Sequence, residues 1–142
     1  MTFRPYNDPT HLYFVTATIA GWKKLFTEQS FAQIVLESLK WLIENKHMQL
    51  FAFALMPNHL HFISRPLNPN NMSKIKQKFG SFTAHAILKE LRRQNRDELL
   101  AYFHQKALES KEKKNHKIWE NSQAKNVYSQ EISHTEARIY SQ

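Results

Sequence analysis

The chain contains no cysteine, which removes disulfides and thiolate metal sites together. No apolar run approaches the ~20 residues that a membrane span needs. Its start, MTFRPYNDPT, lacks the apolar core of a signal peptide. A cytoplasmic protein with no membrane partner is the simplest expectation. No internal repeat is visible, and 142 residues suit a single domain, 1–142, with a real core. Acidic charge is scarce too: 12 Asp and Glu stand against 20 Lys and Arg, a net +8. Such a surplus points to a polyanionic partner. It is uneven, with six Lys/Arg against four acids through residue 72 and fourteen against eight beyond.

What is present is 42% apolar and 13% aromatic, a globular composition. Pro5 and Pro9 make the first ten residues an irregular lead-in. His11–Ala20 is rich in β-branched and aromatic residues and predicts a strand. Gly21–Glu28 is a connection whose Trp22, Leu25 and Phe26 are expected to fold back onto the core. Ser30-Phe31-Ala32-Gln33 has capping-box spacing, and Phe31, Ile34, Val35, Leu39, Leu42 and Ile43 then form the buried stripe of a helix. Met48–Leu55 predicts the next strand, and Pro66–Asn71 a loop.

A second helix is predicted over Met72–Asn95. Its apolar side is Ile75, Phe79, Phe82, Ala86, Ile87 and Leu91; its other side carries Lys74, Lys78, His85, Lys89, Arg92 and Arg96. With Lys76 and Arg93 included, seven cations accompany one acid, Glu90. An ordinary solvated face mixes signs, so phosphate contact is the preferred reading. Gly80 costs such a helix about 1 kcal/mol against Ala, which predicts a kink or close packing there. Asp97–Ala107 is a further helix, with Leu99, Leu100, Phe103 and Leu108 as its apolar members. Residues 109–117 are an exposed charged loop, Ile118-Trp119 an apolar anchor, Ser122–Asn126 a polar loop, and Tyr128–Tyr140 a final helix. The order strand, helix, strand, strand, helix predicts an α+β sandwich.

The chemistry concentrates in Phe51–Arg65, FAFALMPNHLHFISR. Two short apolar strands, Phe51–Leu55 and Leu60–Arg65, are joined by a turn at Met56-Pro57-Asn58. Side chains alternate along a strand, so His59 and His61 project to one face while Leu60 and Phe62 project to the other. Two imidazoles fixed this way are half of a metal site, because few torsions remain to be frozen on binding. By ligand type alone the pair favours Mn²⁺ over Mg²⁺, and Zn²⁺ over both. A solvated or hydrogen-bonded surface pair is the plainer alternative.

MPNHLHF behind an apolar strand resembles the His-hydrophobic-His motif of the HUH single-strand tyrosine transposases, which include the REP-associated tyrosine transposase-like proteins. The likeness is tight over Phe51–Arg65 and looser, by chain order, from Tyr13 to Trp119. It implies a ferredoxin-like split βαβ sandwich, an antiparallel sheet with helices packed on it. It implies that His59 and His61 bind a divalent metal, Mg²⁺ or Mn²⁺, and that a tyrosine on a later helix attacks a DNA strand. It also implies single-stranded or hairpin DNA as partner, and it admits a homodimer that exchanges the tyrosine helix. On this reading Lys74, Lys78, Lys89, Arg92, Arg93 and Arg96 contact phosphates, and Arg65, ending the His strand, clamps one.

The chain departs from that pattern after Trp119. The family's tyrosine lies four or five residues past such a Trp, where this sequence has Gln123 and Ala124. Tyr128 is the nearest candidate nucleophile, ahead of Tyr102 and Tyr140. Glu131, one helical turn on, is the candidate third ligand; Ile132 cannot coordinate. The segment from about 120 to 142 is expected to fall short of the family's. Two further readings follow: a non-catalytic module that binds DNA or RNA hairpins on the same fold, and a small zinc hydrolase needing His85 or His104 as well. Exposed aromatics, with Tyr102, Phe103 and Trp119 as candidates, would stack unpaired bases.

Overall fold

A computed structural model describes residues 11–126; the candidate residues Tyr128 and Glu131 lie outside them. Seven elements follow in order: β1 (Tyr13–Thr18), α1 (Gln29–Glu44), β2 (Met48–Met56), β3 (His59–Pro66), α2 (Met72–Arg93), α3 (Asp97–Glu109) and β4 (Gln123–Asn126). The sheet runs β2-β3-β1-β4, with every neighbouring pair antiparallel. This is the split βαβ arrangement, with α3 added before the last strand.

The core lies between the sheet and the helices. Strict alternation along β1 buries Tyr13, Val15 and Ala17, and β3 buries Leu60, Phe62 and Ser64 on the same side. Phe62 meets Phe79 of α2 at 6.2 Å between ring centroids. The opposite sheet face carries Phe14, Thr16, Thr18, His59, His61, Ile63 and Arg65 by the same alternation. Glu28 and Ser30 at the start of α1 are latched to the end of α2: Arg96 makes two bonds to the Glu28 carboxylate, at 2.6 and 2.9 Å, and Gln94 Nε2 donates to Ser30 Oγ at 3.1 Å. The guanidinium of Arg96 holds the Glu28 carboxyl below its usual range. Among the described residues no helix is long and apolar enough to cross a membrane.

Several local expectations are corrected. Residues 123–126 are not a loop but an edge strand, paired with β1 from Thr16↔Gln123 to Tyr13↔Asn126. Its QAKN sequence carries no strand signal, and pairing with β1 supplies the order. Ser30 does not cap α1, which begins a residue earlier after Glu28; its hydroxyl serves the interhelical bond instead. Phe82 is exposed, and Thr83 takes its place in the buried row because the four-residue step from Phe79 continues through 83, 87 and 91. The Thr83 hydroxyl is satisfied there, donating to Phe79 O at 2.7 Å and accepting from Trp119 Nε1 at 2.8 Å. Leu108 is likewise outside the buried side of α3, which is held by Phe103 and Ala107. At Gly80 a Cβ would meet nothing within 4 Å, so close packing does not explain that glycine. Leu25 and Phe26 enter the core as expected, whereas Trp22 stands 64% exposed.

Candidate metal centre and nucleic-acid face

The turn between β2 and β3 is fastened from outside. Ile19 N donates to Asn58 O and Phe26 N to Pro57 O, both at 2.9 Å. Those two bonds fix the point from which β3 starts, and so the direction of its first side chains. Asn58 also works through its amide. Nδ2 donates to Trp22 O at 3.3 Å, leaving Oδ1 to accept from His59 Nδ1 at 2.7 Å. A ring that donates from Nδ1 presents a bare lone pair at Nε2 when neutral.

His61 stands beside it, ring centroids 4.7 Å apart and edge to face. Its Nδ1 bonds Thr16 Oγ1 at 3.0 Å, and Phe14 stacks on its ring at 5.2 Å. Thr16 is His61's register partner on β1, and Thr18 is His59's. Burial, followed by the neighbouring His59, pushes the His61 imidazole below its ordinary pKa. A neutral ring is the form that ligates a metal. Both rings thus have Nδ1 engaged and, among the described residues, no partner at Nε2. Engaging the far nitrogen is how proteins orient metal-binding histidines. Among the described residues no group of three or more His, Cys, Asp or Glu could hold an ion, so the pair alone is a partial coordination sphere. His85 and His104 do not join it; His104 instead bonds Asn115 O and neighbours His116.

Arg65 lies on the same face as the two His, four residues beyond His61, which is about 13 Å along a strand. Its guanidinium sits over the Phe51 ring at 5.3 Å. The cations of α2 lie elsewhere. Ile75, Phe79, Thr83, Ile87 and Leu91 face the core, so exposed Lys74, Lys78, Lys89 and Arg92 point away from the sheet, on the side opposite His59 and His61. Arg93 and Arg96 are paired with carboxylates. Arg93 makes bonds of 2.9 and 2.6 Å to Glu90, whose carboxyl is held down at about 2 by Arg93 and then Gln94.

The aromatics expected to stack bases are mostly structural. Phe103 is fully buried, Trp119 is tied to Thr83, and Tyr102 donates to Gly21 O at 3.3 Å. Sequence reasoning missed Asn58 and Thr16, whose bonds aim the two rings. The only sequence signal was their position, one directly before His59 and the other in the alternating T-A-T of β1.

A sequence model described as "Transposase IS200 like" matches residues 10–118. Among solved structures, a REP-associated tyrosine transposase bound to a REP hairpin superposes with a TM-score of 0.59 at 15% identity, covering 99% of this chain and 67% of that one. A search of curated proteins finds no match.

Proposed function

We propose, for a chain that belongs to the IS200-like transposase family, a protein that binds hairpin DNA and cuts and rejoins an adjacent single strand through a tyrosine. The observation that carries the reading is the His pair: two half-buried imidazoles side by side on the sheet face away from the helices, each anchored through Nδ1 and, among the described residues, each without a partner at Nε2. The donor set fits a divalent cation that accepts nitrogen and oxygen ligands, Mn²⁺ or Mg²⁺, with His59, His61 and Glu131 as its protein ligands. Such an ion, when bound, polarises the phosphodiester and stabilises the leaving oxygen.

The rest falls to the chain's own groups. The Tyr128 phenol gives up its proton as its oxygen attacks phosphorus, a phosphotyrosine bond forms, and the phosphorus bond to the 3′ oxygen breaks. The freed 3′ oxygen takes up a proton to leave as a hydroxyl, and the bond energy is kept for rejoining. Arg65, farther along β3, clamps a phosphate of the same strand bidentately. The solved relative was bound to a REP hairpin, and the +8 charge of this chain suits such a partner.

One observation favours a second reading, a hairpin-binding module that no longer cuts. The residues at the family's tyrosine spacing, Gln123 and Ala124, pair with β1 as part of β4, and Tyr128 follows only after that strand ends. One experiment separates the two. The protein is incubated with labelled hairpin DNA carrying a single-stranded extension and Mn²⁺, then denatured and run on a gel. A denaturation-resistant protein–DNA band is expected, absent in Tyr128→Phe and in His59→Ala or His61→Ala. Binding without any such band supports the module. A band surviving Tyr128→Phe assigns the attack to another tyrosine.

A further inference from the structure

Trp22 is an exposed aromatic whose carbonyl shares the Asn58 amide with His59, and its exposure is built rather than incidental. The indole is 64% exposed although its backbone has φ 63°, a left-handed conformation that L residues seldom adopt without a reason. Gly21 before it is also left-handed, at φ 68°. The turn is tied on every side. Gly21 N donates to Glu120 Oε2 at 3.0 Å, Gly21 O accepts from Tyr102, Trp22 N donates to Ile19 O at 2.8 Å, and Trp22 O accepts from Asn58. The bond from Gly21, followed by Lys117 and Lys106, keeps the Glu120 carboxyl below its usual range and hence charged. A Cβ at Gly21 would meet the Tyr102 hydroxyl, so a larger residue there would have to displace that ring as well as adopt a left-handed φ.

All this scaffolding leaves a large apolar residue in solvent, and the Asn58 amide ties its backbone carbonyl to His59. Trp22 lines a cleft of about 330 Å³ together with Glu120, Asn121, Lys125 and Phe14, Thr16 and Thr18 of β1, the last two being the register partners of His61 and His59. Exposed Lys23 and Lys24 follow it directly. An exposed ring flanked by cations at the edge of a cleft is the arrangement that takes a base on its face and a phosphate at its side.

We infer that Trp22 is a positioning residue on which an unpaired nucleobase of the DNA strand stacks, setting the register of that strand against the His pair. The inference rests on the single-strand reading above and adds to it which side chain holds the base. The other exposed aromatics among the described residues are placed differently: Trp41 and Phe82 lie on the helix layer, Phe53 is the register partner of core-facing Phe62, and Phe51 lies beside the Arg65 guanidinium, at 5.3 Å.

The test uses the full chain in chelator, so that only binding is read. Probes are a hairpin with a single-stranded extension, the same hairpin blunt, and the extension alone, with 2-aminopurine placed singly along the extension. Trp22→Gly removes the ring at a backbone position that glycine adopts without strain, Trp22→Phe keeps an aromatic face, and Trp41→Ala is the control. Trp22→Gly is expected to weaken the extended hairpin roughly tenfold, to leave the blunt one unchanged, and to abolish 2-aminopurine quenching at one position. Trp22→Phe should restore most of the affinity, and Trp41→Ala should change nothing. The inference fails if Trp22→Gly binds the extended hairpin as the wild type does. It fails equally if both hairpins weaken alike, or if no position is quenched. A wild type that prefers hairpins to the bare extension keeps the proposed function whatever Trp22 does. One with no such preference loses hairpin recognition, while the same variants on the bare extension still decide the role of Trp22.

Discussion

Asn58 spends one amide on two partners, and both matter to the His pair. Its nitrogen holds the Trp22 carbonyl, and its oxygen accepts from His59 Nδ1, so the proton on that ring is placed away from Nε2. Thr16 is the corresponding anchor for His61. Groups that orient a ligating imidazole are worth about 10–100-fold in metal affinity. Asn58→Ala and Thr16→Val are therefore each expected to weaken Mn²⁺ binding by about that factor while the fold persists. Titration by electron paramagnetic resonance, with circular dichroism as the fold control, reads the outcome. Wild-type affinity in both variants would mean that the rings are aimed by strand geometry alone. That geometry was legible from the sequence: alternation placed both His on one face, and the structure sets them edge to face. The anchoring bonds were not legible, because each depends on which residue of another segment lies opposite.

At the scale of elements, strongly patterned segments were read to within a residue or two, and weakly patterned ones were not. β3 and α2 declare themselves through alternation and through a four-residue apolar row. β4 does not, since a polar edge strand takes its order from its neighbour. Trp22 misled for a related reason: its apolarity argued for the core, but the tied turn beneath it holds it out. Gly80 offers a direct check on α2. It lies inside a continuous helix, and a methyl group there would enter open space. Gly80→Ala should then recover about 1 kcal/mol of helix propensity. For a domain of this size that is a rise of roughly 3–5 °C in the unfolding midpoint. A fall in the midpoint on thermal denaturation would show that α2 needs a flexible joint near its middle.

For the whole molecule, the decisive fact is that the two charged features lie on opposite sides. The His pair and Arg65 occupy the sheet face away from the helices, whereas Lys74, Lys78, Lys89 and Arg92 lie on the outer side of α2. A helix about 10 Å across separates them, in addition to the sheet itself. One strand cannot touch both without passing around an edge, so the proposed function predicts that the cations of α2 act on affinity rather than on chemistry. Replacing Lys78 and Lys89 with Gln should weaken hairpin binding and lower the slope of log K against log salt by about 0.9 for each phosphate that is no longer neutralised. Adduct formation at saturating DNA should be unchanged. Arg96→Gln behaves differently, because its guanidinium closes the latch to Glu28 between α1 and α2. It should lower the unfolding midpoint while leaving the salt slope intact. If the slope with Gln at 78 and 89 equals the wild-type slope, the outer face of α2 is merely solvated. The phosphates would then have to be met on the sheet side, by Arg65, Lys23 and Lys24.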